Sequence, residues 1–275
     1  MRVVVTGGSG KAGRAVVRDL VEHGHTVLNV DLVADPDPVC EFRRADLTEL
    51  GQAFEVLRRQ EAVVHLAAIP RPRLHTDEVT FRTNLASTFN VFTAAGELGL
   101  ARVVWASSET TLGLPFDDRI SYFPIDEVPP PVPKSSYALA KVLSEEMARY
   151  FNAKFGIPFV GLRFSNVWDD DDYEQVPTFQ HDPRLRSWNA WGYVDTRDVG
   201  QACRLALETE LEGAEVFIIA AADTVMAMPN AELLAAVFPS VPVHDGAGEH
   251  GTLLSIEKAR AALGYEPEHT WRTRP

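Results

Sequence analysis

The chain has 275 residues, a formal charge of −13, 45% hydrophobic and 24% charged residues. That length buries a full core and leaves room for a cofactor-sized cleft without metal or disulfide staples, and the near-average composition excludes disordered and collagen-like chains. The acidic balance excludes a phosphate-tracking surface, so nucleic acid is not an expected partner.

The N-terminal Met1-Arg2-Val3-Val4-Val5-Thr6-Gly7-Gly8 carries an apolar stretch too short for a signal-peptide core, and no apolar run approaches the roughly 20 residues that cross a bilayer. A cytoplasmic protein without membrane contact is the expectation. Cys40 and Cys203 fit no metal-ligand spacing and read as reduced thiols, so no metal site is expected.

Short β-branched runs then alternate with helical patterns, the signature of a parallel sheet covered on both faces. Strands are predicted at 2–6, 26–31, 41–44, 62–66, 102–106 and 159–163, with helices at 11–23, 47–59, 76–98 and 135–155. In the first helix Ala12, Ala15, Val16, Leu20 and Val21 form one apolar face to lie on the sheet. After Asn166 the texture changes to an aspartate run, two tryptophans and scattered prolines, followed by a helix at 196–208, a strand at 216–220 and a C-terminal helix at 253–263. These features predict an α/β chain with a Rossmann-type, doubly wound sheet over 1–165 and a smaller substrate lobe over 166–275, the 196–208 helix returning to the sheet.

Gly7, Gly10 and Gly13 follow the first strand and open the first helix in a GxxGxxG spacing. Glycines there permit a tight turn, close approach of backbone to a pyrophosphate and close packing of helix on strand, while the helix N-terminus offers free N–H groups. Asp31 ends the second strand, where a carboxylate accepts from ribose hydroxyls and repels a 2′-phosphate, favouring NAD. The nearby cations Lys11, Arg14, Arg43 and Arg44 keep NADP open. Tyr137 and Lys141 stand four residues apart on one helix face. An ammonium beside a phenol is expected to lower its pKa and make Tyr137 a proton acceptor near neutrality. Asp169-Asp170-Asp171-Asp172 lacks the alternating ligands of a calcium loop and reads as a solvated acidic loop.

Taken in order, these pieces resemble the extended short-chain dehydrogenase/reductases, the group of NAD-dependent epimerases, dehydratases and sugar dehydrogenases. The matches are the Gly7 to Gly13 loop, Asp31, Ala45-Asp46-Leu47, His65-Leu66-Ala67-Ala68, Asn84, Ala106-Ser107-Ser108, Tyr137 with Lys141, Leu162 to Val167, and Tyr193 to Val199. The resemblance implies a cofactor site of Gly7, Gly10, Lys11, Ala12, Gly13, Asp31, Asp46, Leu47, Leu66, Ala67, Ala68, Asn84, Tyr137 and Lys141. It further implies a catalytic set of Ser108, Tyr137 and Lys141, with Lys141 on the nicotinamide ribose and hydride transfer at a carbinol carbon. Leu112 replaces the tyrosine that many sugar epimerases of the group carry before Gly113.

The compact length and the segment Asp182-Pro183-Arg184-Leu185-Arg186-Ser187-Trp188 look more like the short uronate or aldose 1-dehydrogenases than like enzymes with a nucleotide-sugar handle. The leading expectation is an NAD-dependent dehydrogenase of a free sugar or sugar acid, with Glu109, Thr110 and Asn166 on sugar groups and Arg71, Arg73 or Arg163 holding a carboxylate. Arg163 has a structural ion pair as its alternative, and Arg71 and Arg73 an exposed loop. The competing functions are a nucleotide-sugar 4-epimerase with tightly held NAD and a dinucleotide sensor without turnover. The two long helices imply, by analogy with the group, a homodimer.

Overall fold

A computed structural model describes residues 1–117 and 119–273; the last two residues of the predicted lobe lie outside the described residues. Strands β1 (Arg2–Thr6), β2 (Thr26–Asp31), β3 (Glu41–Arg44), β4 (Ala62–His65), β5 (Arg102–Ser108) and β6 (Phe159–Phe164) are followed by the short β7 (Val167–Trp168) and β8 (Val194–Asp195) and by β9 (Ala214–Ile219). The helices are α1 (Lys11–Glu22), α2 (Leu50–Leu57), α3 (Asp77–Leu98), α4 (Ser136–Phe155), α5 (Asp170–Tyr173), α6 (Val176–Phe179), α7 (Thr196–Glu208), α8 (Asn230–Val237) and α9 (Glu257–Leu263).

Seven strands form one parallel sheet in the order β3-β2-β1-β4-β5-β6-β9, and β7 pairs with β8 outside it. The order reverses between β1 and β4, and open α/β sheets bind ligands in the crevice at such a switch. Period-two alternation assigns the faces: Val3 and Val5 pack with Val16, Leu20, Val199 and Ala206 of α1 and α7, while Val4 packs with Val56, Phe92 and Phe151 of α2, α3 and α4. Both faces are therefore dry, and the strands read as continuous apolar runs. On the second face the indole of Trp105 lies over β6, where a Cβ on Gly161 would come within 2.6 Å of it. That close approach requires glycine.

Helix α4 is set by its caps. Ser135 accepts from the Ala138 N–H at 3.1 Å, and Gly156 closes the helix at φ 75°. The cap fixes Tyr137 in the first turn and Lys141 one turn later.

Departures from the sequence reading have local causes. Helix α2 starts at Leu50 because Asp46 Oδ1 accepts from Thr48 N and Oγ1 and holds a turn there. Residues 253–256 stay outside the helix, since Leu253 O accepts from Ile125 N at 2.9 Å, so α9 begins only at Glu257. Helix α8 was not expected. The sheet also takes more from the second part of the chain than the division at 165 assigns to it. Strand β9, which that division leaves in the second lobe, pairs with β6, beside helix α7, which lies on α1 with Arg204 on Asp19 at 2.9 Å. Among the described residues no helix is long and apolar enough to cross a membrane, and no cluster of three His, Cys, Asp or Glu side chains suits a metal.

Candidate active site

At the switch point the first loop is packed to backbone limits. Gly7 sits at φ 71°, and a Cβ there would come within 2.6 Å of Ala67 N at the end of β4. A Cβ on Gly13 would meet Gly7 O at 2.0 Å, and one on Gly8 would meet Asn29 Oδ1 at 2.4 Å. Glycines thus bring the N-terminus of α1 against the ends of β1 and β4, leaving main-chain N–H groups at the loop and helix start. Asp31 Oδ2 accepts from Ser9 N at 3.1 Å, so the carboxylate at the end of β2 is already aimed at this loop. The concave, donor-rich loop beside a fixed carboxylate fits the pyrophosphate and ribose of a dinucleotide.

Other residues assigned to the cofactor meet different fates. Ala12, Leu66, Ala67 and Ala68 are half-buried around the loop, and Leu47 is buried while Asp46 beside it is exposed. Asn84 makes a two-way amide pair with Ile69, accepting from its N–H at 2.7 Å and donating to its carbonyl at 3.0 Å. This pair makes Asn84 shape the loop after β4. Lys11 is similarly engaged: its ammonium donates to Asp169 Oδ1 at 3.1 Å and to Asp172. Burial opposes its charge, but the two carboxylates outweigh that and hold its pKa above the usual lysine value. The aspartate run is therefore no free loop. Asp169 caps α5, and with Asp172 it ties the glycine loop to the second lobe across the cleft.

The catalytic candidates converge at the C-terminal end of β5. Thr110 donates to Ser108 Oγ from its main-chain N–H at 3.2 Å and from its hydroxyl at 3.0 Å. Both acceptor positions of that oxygen are then filled, which leaves its own proton to turn toward the Tyr137 hydroxyl, whose ionisation it favours. Thr110 thus orients Ser108. Lys141 Nζ lies 5.6 Å from the Tyr137 ring centre and donates to Ala106 O at 2.6 Å.

The charges behave differently from the sequence expectation. Burial pushes the Tyr137 phenol up to about 12, the Ser108 bond opposes the rise and Glu109 adds to it, while Lys141 exerts no resolved pull. Burial also pushes Lys141 down to about 8, against the attraction of Glu145. Desolvation outweighs the pair attraction because both groups are buried and the ammonium bonds a carbonyl.

Arg163 is corrected as well. Its Nε and Nη2 donate to the two oxygens of Glu145 at 2.9 and 2.8 Å in a fully buried pair, and Ser107 Oγ donates to Glu145 Oε1 at 2.6 Å. This fork ties β5 and β6 to α4, and removing one partner of such a pair costs about 3–5 kcal/mol. Arg163 is structural. Arg71 and Arg73 lie exposed on the loop after β4.

The second lobe supplies what spacing did not single out. Residues Pro183–Asn189 form a 3₁₀ helix that buries Arg186, its guanidinium 5.3, 5.7 and 4.9 Å from the Trp168, Phe179 and Trp188 rings. Nη1 donates to Asn166 Oδ1 at 3.3 Å and Nη2 to Gly192 O at 3.1 Å, while Nε is buried without a partner. Burial lowers its pKa to about 10, with Glu109 and Asp172 opposing. Trp168 Nε1 also donates to Asn166 Oδ1, at 2.7 Å. Glu109, directly after Ser108, is buried and accepts from Ser165 Oγ at 2.7 Å and from Asn189 Nδ2 at 3.2 and 3.4 Å. The sequence held one signal for this cluster, a run of Arg, Trp and Asn between prolines and β8. Nothing in its spacing assigned it a partner.

Residues 3–178 match the model of the NAD dependent epimerase/dehydratase family. The chain belongs to this family. Its members are NAD-dependent dehydrogenases and epimerases, and this chain is an enzyme of that kind. It is 26% identical to the NAD-dependent glucose-6-phosphate dehydrogenase of Haloferax volcanii, over 97% of this chain and 92% of that protein. It is 25% identical to the UDP-glucose 4-epimerase of Corynebacterium glutamicum, over 98% and 92%. Its fold matches a short-chain dehydrogenase/reductase superfamily protein from Agrobacterium tumefaciens, solved with NAD bound, at a TM-score of 0.76 and 24% identity, covering 99% of this chain and 94% of that one. Relatives of both reaction types thus span nearly the whole chain, and the resemblance read from the motifs is borne out at the level of the family.

Proposed function

We propose that the protein is an NAD-dependent dehydrogenase that oxidises a carbinol carbon of a free sugar bearing an anionic group, a sugar acid or a sugar phosphate. The observation that carries this reading is Arg186, a buried guanidinium that among the described residues bonds only neutral oxygens and keeps Nε unpaired. A buried cation without a carboxylate partner is costly unless a ligand supplies the anion. In this reading Arg71, Arg73 and Arg163 have no part in holding it, and Asn166 reaches the ligand beside Arg186.

Gly7, Gly10, Ala12 and Gly13 with the start of α1 hold the pyrophosphate, Asp31 holds the adenosine ribose and selects NAD over NADP, and Asp46, Leu47, Leu66, Ala67 and Ala68 line the remaining length. NAD, when bound, accepts the hydride from the carbinol carbon. On ligand binding Ser108 turns its one proton from Tyr137 toward the reacting oxygen, and Tyr137, once ionised, takes the hydroxyl proton. Lys141 holds the nicotinamide ribose. A second copy of the chain covers α3 and α4, where Leu85, Leu143 and Met147 line a groove and Phe89, Tyr150 and Leu139 are exposed. A cytoplasmic setting accords with the two free thiols, Cys40 and Cys203.

The second reading, a nucleotide-sugar 4-epimerase, draws on the same arginine, because a diphosphate is also an anion, and on the epimerase relative. An absorbance screen over aldoses, uronates, sugar phosphates and nucleotide-sugars with NAD and NADP separates the two. The dehydrogenase accumulates NADH in step with product. Conversion of a nucleotide-sugar without net absorbance change overturns the reading in favour of the epimerase.

A further inference from the structure

Glu109 is the one carboxyl at the centre of the site that the proposed chemistry leaves without a task. It follows Ser108 directly on the 3₁₀ turn 109–112, is 3% exposed, and among the described residues forms no salt bridge. A buried carboxylate held only by neutral donors carries a standing desolvation cost. An apolar side chain would avoid that cost, so the position calls for a use of the charge.

The surroundings define that use. From β6 and its exit, Ser165 donates to Oε2; from the 183–189 helix, Asn189 donates to both oxygens and also to Gly192 O at 2.9 Å. The 109–112 turn packs against α4, and the charged or titratable groups that act on Glu109 or feel it are Tyr137 in the first turn of α4, whose ionisation it opposes, and Arg186 on the 183–189 helix, which in turn feels Asp172 of α5. Lys141 and Glu145 act on one another on the α4 side. Two acidic groups, a carboxyl and a phenol, therefore share one buried region with a single nearby guanidinium. Adding a second negative charge beside the first is unfavourable, so their protons are coupled.

We propose that Glu109 is a positioning residue that sets the pH at which Tyr137 acts as the base and couples that setting to the 183–189 helix through Asn189. When Glu109 is ionised, the phenol of Tyr137 holds its proton to higher pH. When Glu109 is protonated, that opposition is gone, and the Asn189 N–H loses a charged acceptor. Burial, opposed by the Ser165 and Asn189 bonds, brings the carboxyl up to about 7, so both forms are populated near neutrality. A ligand anion bound at Arg186 removes part of the charge that favours ionised Glu109, and so communicates occupancy to the base.

This inference rests on Tyr137 being the base of the proposed reaction, so the test begins with measurements that need no turnover. Difference infrared spectra of the intact protein follow the protonated-carboxyl stretch from pH 5 to 9. The expected result is a band titrating near pH 7 that is missing in Glu109→Gln and whose midpoint rises by about one pH unit, a tenfold change in ionised ratio, in Asn189→Ala or Ser165→Ala, because each loses a donor to the carboxylate. Tyrosinate absorbance, with Tyr137→Phe as the blank, should titrate at lower pH in Glu109→Gln than in the unmodified chain. With a substrate in hand, the rising limb of kcat/KM against pH moves to lower pH in Glu109→Gln. A role confined to packing lowers kcat/KM equally at every pH and leaves the limb and the tyrosinate midpoint in place; that result overturns the proposal, as does the absence of a titrating band that Glu109→Gln removes. Absence of turnover with every sugar, alongside the titrating band and the shifted tyrosinate, overturns the dehydrogenase reading and leaves the coupling standing.

Discussion

Cofactor and substrate ends of the cleft are built from opposite materials. The dinucleotide end is main chain brought close by glycines: Gly13 against Gly7 at a spacing that no Cβ tolerates, and Gly7 against Ala67. The groups proposed for recognition there are main-chain N–H donors and the carboxylate of Asp31, already bonded to the loop. At the substrate end the groups are buried side chains, Arg186 among three aromatic rings and Glu109 among neutral donors, with buried polar atoms at Arg186 Nε and Asn189 Oδ1 left unpaired. The first design tolerates no added volume. The second tolerates volume but depends on charge, and tailoring it to another ligand takes a few side-chain changes rather than a new backbone.

The difference can be broken at either end, and the largest effect is expected where the two meet. Replacing Tyr137 by Phe removes the proton acceptor while keeping the ring, and kcat/KM should fall by about 10²–10⁴-fold with Kd for NAD nearly unchanged. Fluorescence titration with NAD beside an NADH progress curve checks both. Loss of NAD binding in that variant would place Tyr137 in the cofactor cradle rather than at the chemistry.

At the substrate end, Arg186→Met keeps much of the volume within the aromatic cage but removes the charge. KM for an anionic sugar should rise about 30-fold or more, while the urea midpoint changes little, since Arg186 makes no ion pair and the buried Glu109, which loses its attraction, can take up a proton. A neutral aldose should show little change, and equal losses for both would mean that Arg186 only supports the lobe.

Gly13→Ala should do the reverse. The added methyl meets the carbonyl of Gly7 at 2.0 Å, so the loop must shift, with an expected cost of about 1–3 kcal/mol and a weakening of NAD binding by roughly 5- to 150-fold. Calorimetric titration with NAD measures it, and KM for the sugar at saturating NAD should hardly move.

The smallest effect belongs to the link across the cleft. Lys11 pairs with Asp169 and Asp172 at a partly exposed position, and such pairs contribute about 0–1 kcal/mol. Asp172→Asn should speed NAD release by less than about fivefold in stopped-flow measurements, and the difference from the unmodified chain should fade as salt is raised. A much larger change would make the pair a true strap over the cofactor.

How much of this was legible in the sequence follows the same division. Three strands, β1, β2 and β3, have the bounds that the sequence predicts, and the glycine spacing with Asp31 after β2 indicates the dinucleotide crevice. Those features depend on neighbours along the chain, on side-chain period and on the space each glycine leaves. Asn84 and Arg163 show where this kind of reading stops. Each was assigned a ligand from its place in a motif, yet Ile69 takes the amide of one and Glu145 the guanidinium of the other. A hydrogen bond is decided by the few ångströms around its donor, and for both residues those ångströms are filled from 15 or 18 positions away.

The sequence by itself determined a parallel α/β sheet, the place of its glycine loop between β1 and α1 and the four-residue offset that puts Tyr137 and Lys141 on one helical face, because each is a matter of local geometry. Tertiary structure alone decided the charges. Burial sets Tyr137 above and Lys141 below their usual pKa values, reversing the effect that their spacing suggests. It also brings Glu109, Ser165, Arg186 and Asn189 together from the ends of β5 and β6 and the 183–189 helix. The energy of a charge depends on the solvent it has lost and the groups that replace it, and no spacing along the chain records either.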